Sequence, residues 1–463
     1  MDETLLALVA KYDRPGPRYT SYPTAPEWRD DFGPADYAGA LAAAAAAEQA
    51  PLALYVHIPF CEERCTFCGC NVVVTRKRET ADAYLDRLER EIDLVAAALG
   101  RRRLVTQLHW GGGTPNYLDE PRLRRLMAML RARFALDPAA EIALEIDPVV
   151  ASPQQVRLLR ELGFNRISLG VQDLDWTVLQ AVNRRQPEAL TRLIYTACRE
   201  AGFAGVNLDL IYGLPHQRPE NFGETVRKII DLQPDRVALF SYAHVPWLKK
   251  HQQALDAATL PDAATKFRIF HGARARFLAA GYVQIGMDHF ARPGDELAAA
   301  LRERRVHRNF MGYTVLPADD LVAFGITAIS AVAGRFAQNE PRLARYYRAL
   351  DAGELPTVKG YELDADDRLR AHVISTLMCN FDLRFAEVEA RFGIDFRATF
   401  AAELAELAAA RDDGLIELAD GTLRATDTGR LFIRNICMPF DAHLRRRRAA
   451  GDADAAPRFS RTV

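Results

Sequence analysis

Long apolar runs are absent from this 463-residue chain. None approaches the ~18 residues that would suggest a membrane span. The start, "MDETLLALVAKYDRPGPRY", carries no basic leader, apolar segment or small-residue cleavage site, so a cytoplasmic location is expected. Charge of one sign is missing too. With 60 Lys and Arg against 61 Asp and Glu, the net charge is −1, which gives no basis for broad nucleic-acid or anionic-membrane binding. No H-E-x-x-H element and no Ser/His/Asp arrangement stands out. Cysteine is scarce, at seven residues. What is present is an ordinary globular mix, 49% hydrophobic and 26% charged, on a chain long enough for two or three domains.

The few cysteines are unevenly placed. Four of them fall in "HIPFCEERCTFCGC" (57–70). Cytosolic thiols stay reduced, so a cluster of them points to metal binding or catalysis rather than to disulfides. Cys61, Cys65 and Cys68 form C-x₃-C-x₂-C. Zinc sites usually pair two short ligand elements, and no second half follows, although zinc with Cys70 or His57 stays open. Three thiolates on a [4Fe–4S] cluster would leave one iron without a protein ligand, where four cysteines usually close such a cluster. Cys198, Cys379 and Cys437 sit singly in apolar surroundings and read as buried packing.

From about residue 50 a strand-then-helix rhythm begins. The strand-like runs are 52–58, 104–110, 141–146, 165–171, 204–212 and 235–242, with a further single strand over 282–290. Six βα units predict an α/β fold with a parallel sheet, open or part of a barrel, whose ligand sites gather at the C-terminal strand ends. Residues 300–345 read as a long functional loop and a segment returning to the sheet. From about 364 the pattern is helical, then "GLIELADGTLRATD" predicts a hairpin turning at Asp420-Gly421. Helix, helix, hairpin, helix suggests a winged-helix-like C-terminal domain. "LRRRR" (444–448) reads as a solvated helix end.

The C-x₃-C-x₂-C loop after the first strand, with "WGGGTP" after the second, resembles the radical S-adenosylmethionine superfamily. More closely, "GPRYTSYPTA", "YVHIPFC", "LHWGGGTP", "GVQD", "LDLIYGLP", "GMDHFARP", "HRNF" with "GYT", and "IRNICMPFD" resemble, in order, the oxygen-independent coproporphyrinogen III oxidase family. The resemblance implies a partial (β/α)6 radical-SAM barrel with an extended sheet and a mostly helical C-terminal domain. In numbers, it implies an N-terminal segment (1–50) contributing to the substrate site, a catalytic domain (51–345) and a C-terminal domain (364–463). It implies one [4Fe–4S] cluster per chain, held by three cysteines and exchangeable S-adenosylmethionine, and a second S-adenosylmethionine. It also implies a monomer, a reducing donor such as flavodoxin or ferredoxin, and an electron acceptor of unknown identity. The activity implied is oxidative decarboxylation of two propionates of coproporphyrinogen III to vinyl groups, giving protoporphyrinogen IX in haem biosynthesis.

Residue by residue, the resemblance assigns Cys61, Cys65 and Cys68 to the cluster. Cys70 matches an extra family cysteine that is not a ligand, and is the one candidate for a catalytic side chain beyond the cofactor. Tyr55, Gly112, Glu145 and Ile329 match contacts to the first adenosylmethionine. Phe67, between two ligands, matches packing on adenine. Gly113, Thr114, Gln172, Arg184, Asp209 and Ala243 match the second site. Glycines admit close backbone approach to a ligand, and a guanidinium suits a carboxylate. Without the resemblance, Tyr55 reads as packing and Arg184 as surface charge.

Four propionates require cations, for which Arg18, Arg76, Arg166 and Arg308 are candidates. His57 and His109 read as core histidines. Met311 departs from the family pattern, which typically carries Gln there. Two other readings stand beside this one. A related haem-binding chaperone would lack the fourth cysteine and carry an HNxxYW-type motif, whereas Cys70 is present and the stretch reads "HRNFMGY". A DNA-binding regulator would need a basic recognition helix, which a pI of 6.8 does not support.

Overall fold

The computed structural model describes residues 3–316, 318, 320–450 and 459–462. Six parallel strands form its centre: β1 (Leu52–Ile58), β2 (Leu104–Gly112), β3 (Ala135–Ile146), β4 (Arg166–Gln172), β5 (Gly205–Tyr212) and β6 (Arg236–Ser241). They alternate with helices in chain order, making a partial (β/α)6 barrel. β1 is almost wholly buried, as a parallel strand covered on both faces should be. The helix Thr80–Ala98 covers it with Leu85, Leu88, Ile92 and Val95, spaced three and four apart on one stripe.

The sheet extends past the barrel on both sides, to twelve strands. Beyond β6 lie β7 (Val283–Ile285) and β8 (His289–Ala291), antiparallel to each other, with β8 antiparallel to β6. The single strand expected over 282–290 is therefore a hairpin, because the chain reverses at Gly286. Beyond β1 lie β9 (Asp320–Phe324), β10 (Ile329–Val332), β11 (Arg335–Asn339) and β12 (Thr357–Glu362). β9 runs parallel to β1, so the returning segment is where it was expected. Arg102, fully buried, fixes this edge by an ion pair to Asp320 (2.5 Å) and bonds to the carbonyls of Ala44, Ala50 and Pro51.

Two further expectations change. The 307–314 stretch is not a loop but a hairpin, His307–Asn309 against Gly312–Thr314, closed by the Asn309 side chain accepting from the Met311 and Gly312 amides. The helix end at 444–448 is not simply solvated. Arg445 pairs with Glu403, Arg447 with Glu27 and Arg448 with Glu406, so it fastens the C-terminal domain to the N-terminal segment.

The C-terminal domain has its own core, into which the N-terminal residues Val9, Tyr12, Tyr19 and Tyr22 insert. Its hairpin, Ile416–Ala419 and Thr422–Ala425, turns at Asp420-Gly421 as expected. The buried Arg434 donates to the carbonyls of Pro17 (2.9 Å) and Arg461 (2.8 Å), clamping both chain ends. Cys198, Cys379 and Cys437 are buried, as their apolar contexts predicted. No helix among the described residues is long and apolar enough to cross a membrane.

Candidate active site

The cysteine loop leaves the C-terminal end of β1. Pairing of Phe60–Cys61 with Val73–Val74 closes its base, and Thr66 N bonds to the Val182 carbonyl at 3.1 Å. Cys61, Cys65, Cys68 and Phe67 line a cavity of about 180 Å³. Among the described residues no three His, Cys, Asp or Glu side chains converge tightly enough for a single ion. Thiols spread around one cavity instead suit a larger group such as an iron–sulfur cluster.

Each thiol has a distinct neighbour. Cys61 Sγ lies 3.3 Å from the Thr114 hydroxyl, and Cys65 Sγ accepts from Arg184 Nη1 at 3.6 Å. The Cys70 amide donates to Cys68 Sγ at 3.4 Å. Burial pushes the Cys61 thiol up to about 11 and raises Cys65, where Arg184 opposes it. Hydrogen bonding from Cys70 holds Cys68 low against its burial, and the same interaction raises Cys70.

The glycine run follows from crowding. A Cβ on Gly112, at φ +113°, would meet the His57 ring at 2.7 Å, and one on Gly113 would meet the Pro59 carbonyl at 2.7 Å. Glu145, near the end of β3, accepts from Gly112 N (3.3 Å) and faces His109 Nε2 (3.4 Å). Its burial favours the neutral form, but His109 and the Gly112 amide outweigh this and keep it low. At the end of β4 the register shifts between Gly170 and Gln172, and Gln172 sits at φ +69°. Such a bulge re-aims a side chain, here towards the cavity that Gln172 lines.

Arg184 is buried, contrary to a surface reading. Its Nη2 bonds Asp147 Oδ1 (3.0 Å) and the Gly170 carbonyl (2.6 Å), and its Nε bonds Gln186 (2.7 Å). The sequence "VNRRQP" offers no signal for this, since Asp147 and Cys65 come from two other βα units and Gly170 from the preceding strand. Asp209 on β5 accepts from Asn207 (2.7 Å) and Ser168 (3.1 Å). Burial, then the Glu145 charge, pushes it up to about 6.

Glu145 and Asp209 also line a second cavity of about 190 Å³ that continues inside the sheet past His109, Arg166, His289, Met311 and Tyr313. Of the candidate cations, Arg166 lines it but is paired with Glu141 (2.7 Å) and Glu296. Arg18 pairs with Asp288 (2.6 Å), which also bonds His289 (2.8 Å). Arg308 is placed over the Tyr313 ring at 5.1 Å. Arg76 is 72% exposed, pairs with Glu63 and lines neither cavity.

Tyr55, Ala243 and Ile329 line neither cavity. Tyr55 stacks on His109 at 6.0 Å, and its hydroxyl lies 3.3 Å from His57 Nδ1. Ile329 begins β10, and Ala243 follows β6. The Gln252 side-chain amide bridges the carbonyls of Ala243 (3.2 Å) and Phe67 (3.1 Å). Sequence reasoning missed Asp147, His109, Gln252 and Asp288; His109 alone carried a signal, as a polar residue in an apolar strand.

Comparison with known proteins accounts for this arrangement. Oxygen-independent coproporphyrinogen III oxidase from Salmonella typhimurium is 46% identical over 442 residues, covering 96% of each chain. The protein of that name from Pseudomonas aeruginosa is 46% identical over 439 residues, covering 94% of this chain and 95% of its own. The chain belongs to the oxygen-independent coproporphyrinogen III oxidase family. The solved structure of coproporphyrinogen III oxidase (HemN) from Escherichia coli, described as a radical SAM enzyme, superposes with a TM-score of 0.90. It is 44% identical, and the match covers 95% of this chain and 99% of that one. Residues 55–229 match the radical SAM superfamily and 363–432 the HemN C-terminal domain. The first match spans β1 to β5 with the cysteine loop; the second spans most of the separate C-terminal core.

Proposed function

We propose that this chain decarboxylates two propionates of coproporphyrinogen III oxidatively to vinyl groups, giving protoporphyrinogen IX. One observation carries the reading most directly: the cavity under the thiols and the cavity inside the sheet meet at Glu145 and Asp209. A cofactor held at the first is thereby set against a substrate held in the second.

Cys61, Cys65 and Cys68 would hold three irons of a [4Fe–4S] cluster, leaving the fourth to adenosylmethionine. Once bound, the pair supplies a 5′-deoxyadenosyl radical able to take hydrogen from a propionate β-carbon. The chain's own residues prepare that step. Gly112 and Gly113 let the backbone approach the amino-acid end of the first adenosylmethionine, and Glu145, kept ionised, faces its amino group. Tyr55 supports that wall through His57 and His109, Phe67 offers a ring to adenine, and Ile329 is assigned to the same adenosylmethionine from the family pattern. The second adenosylmethionine is assigned to Gly113, Thr114, Gln172, Arg184, Asp209 and Ala243. Arg184 offers its guanidinium to a carboxylate, and Asp209 its charge to a cationic sulfonium or amine. Cys70 is not a ligand; its amide donates to the Cys68 sulfur. Arg308 is the candidate cation best placed for a propionate, since it lies over the ring of Tyr313, which lines the second cavity.

The reaction needs one external electron for each radical formed and an acceptor for the electron released as CO₂ departs. The test is anaerobic incubation of the iron-reconstituted protein with coproporphyrinogen III, adenosylmethionine, dithionite and an artificial one-electron acceptor, with products resolved by mass. Protoporphyrinogen IX from wild type and none from Cys65→Ala is expected. A protein with an intact cluster that binds haem but forms no vinyl group is instead a carrier.

A further inference from the structure

After β6 the chain does not enter a helix directly. Residues 243–255 fold back over the cysteine loop and are held there at several points. Gln252, buried, donates to Phe67 O (3.1 Å) and accepts from Val245 N (2.6 Å). His251 Nε2 lies 2.7 Å from the Cys68 carbonyl. This segment is thus fastened to the peptide that carries Cys65 and Cys68.

Its tip faces solvent with an unusual composition. Leu248 is 64% exposed, the most of any large apolar side chain among the described residues, and Trp247 beside it is 51% exposed. Lys249 and Lys250 follow immediately, and Arg64 and Arg185 belong to the stretches meeting at the same cysteine loop, where the Asn183 side chain bonds the Arg64 carbonyl at 2.9 Å and Arg184 bonds the Cys65 sulfur. None of these four cations has an ion-pair partner among the described residues. Arg76 and Arg78 of the same loop are paired, with Glu63 and Glu62. The face is therefore locally cationic on a chain whose net charge is −1.

A small apolar tip followed by unpaired lysines, over a loop carrying further unpaired arginines, suits an acidic protein surface better than a bilayer, because two apolar side chains anchor a membrane poorly. We infer that residues 245–250, with Arg64 and Arg185, dock a small acidic electron-transfer protein that reduces the cysteine-bound site. Trp247 and Leu248 fill the contact's centre, and the cations orient the partner. The route inward is short: from the face, through His251, to the Cys68 peptide. In each encounter the reduced donor gives up one electron, becoming oxidised by one, and the cysteine-held site gains it; no proton need move. The inference rests on the proposed radical chemistry, which requires such a donor.

The experiment uses reconstituted holoenzyme and reduced flavodoxin as the acidic probe. Binding is read by fluorescence anisotropy of labelled flavodoxin at low and at 0.5 M salt. 5′-Deoxyadenosine formation is measured in parallel with flavodoxin and with dithionite. The Lys249→Glu/Lys250→Glu double variant and Trp247→Ala should each weaken flavodoxin binding at least tenfold. Both should lose flavodoxin-driven turnover yet keep dithionite-driven turnover within twofold of wild type, and wild-type binding should weaken in high salt. Unchanged binding in both variants would overturn the proposal. So would equal loss under dithionite, which would make the segment a structural clasp. So would charge-sensitive binding to anionic phosphatidylglycerol vesicles without flavodoxin binding, which would make the face a membrane contact. If wild type makes no 5′-deoxyadenosine even with dithionite, the radical reading fails while the anisotropy still decides the docking face.

Discussion

Cys70 stands two residues beyond Cys68, and both its amide and its side chain are engaged by that thiol. Cys70→Ser should therefore keep the iron content and the reduced-cluster EPR signal, whereas Cys61→Ala, Cys65→Ala or Cys68→Ala should abolish both. Equal iron loss in Cys70→Ser and Cys65→Ala would make Cys70 a ligand. Asp209 gives a test with a definite sign. Its carboxyl is raised from 3.8 to about 6, burial first and Glu145 second. A carboxyl titrating higher in the folded than in the unfolded state favours folding when protonated and weakens it once ionised. Asp209→Asn should stabilise the apoprotein by roughly 1–3 kcal/mol at pH 8, with the gain shrinking towards pH 4. Urea unfolding at both pH values measures this; destabilisation at pH 8 would refute it. The same variant should weaken the second adenosylmethionine. Met311 lines the second cavity with a thioether where the family pattern expects an amide. Met311→Gln should change the KM for coproporphyrinogen III by less than tenfold, because the two side chains have similar length. Rescue of an otherwise inactive enzyme by that exchange would show that the natural residue blocks the site.

The edge strands beyond β1 are tied to the helix Thr80–Ala98 by one buried carboxylate. Glu91, on the helix Thr80–Ala98, accepts from Gly325 N (2.8 Å), Asn339 Nδ2 (2.5 Å) and Tyr346 OH (2.5 Å). Tyr84 of the same helix donates to the His57 carbonyl at 2.7 Å, just before the cysteine loop. Burial pushes Glu91 up to about 7. Glu91→Ala strands three donors in the core and should cost about 3–5 kcal/mol in chemical unfolding, with Glu91→Gln costing clearly less. A loss below ~1 kcal/mol for the alanine would mean that water replaces the carboxylate. Nothing in "RLEREIDLV" marks Glu91 out from its solvated neighbours, since its partners lie more than 230 positions away in sequence. The strands themselves were legible because buried parallel strands read as continuous apolar runs. The first half of β3 was not, because it is extended backbone with largely unburied side chains. The 282–290 hairpin was missed because its turn is short and its two arms together read as one apolar run.

At the scale of the whole molecule, the chain ends are part of the architecture rather than appendages. The N-terminal tyrosines complete the C-terminal core, and Arg434 ties both termini together. A winged C-terminal domain alone would suggest DNA binding, but three of its terminal helix arginines are committed to Glu27, Glu403 and Glu406. What the sequence could announce was local: three cysteines in one loop, a glycine run after the next strand, and a rhythm that sets both at the same sheet edge. What it could not announce was the meeting of two cavities at Glu145 and Asp209, which depends on the register of three neighbouring strands. That meeting is the account's central claim, and one measurement tests it most directly. Reconstituted enzyme is given coproporphyrinogen III, adenosylmethionine, an anaerobic reductant and an artificial one-electron acceptor, and 5′-deoxyadenosine is counted against vinyl groups formed. The account predicts one 5′-deoxyadenosine for each vinyl group, hence two for each protoporphyrinogen IX, with a mono-vinyl intermediate between. 5′-Deoxyadenosine released steadily without any vinyl product would contradict it.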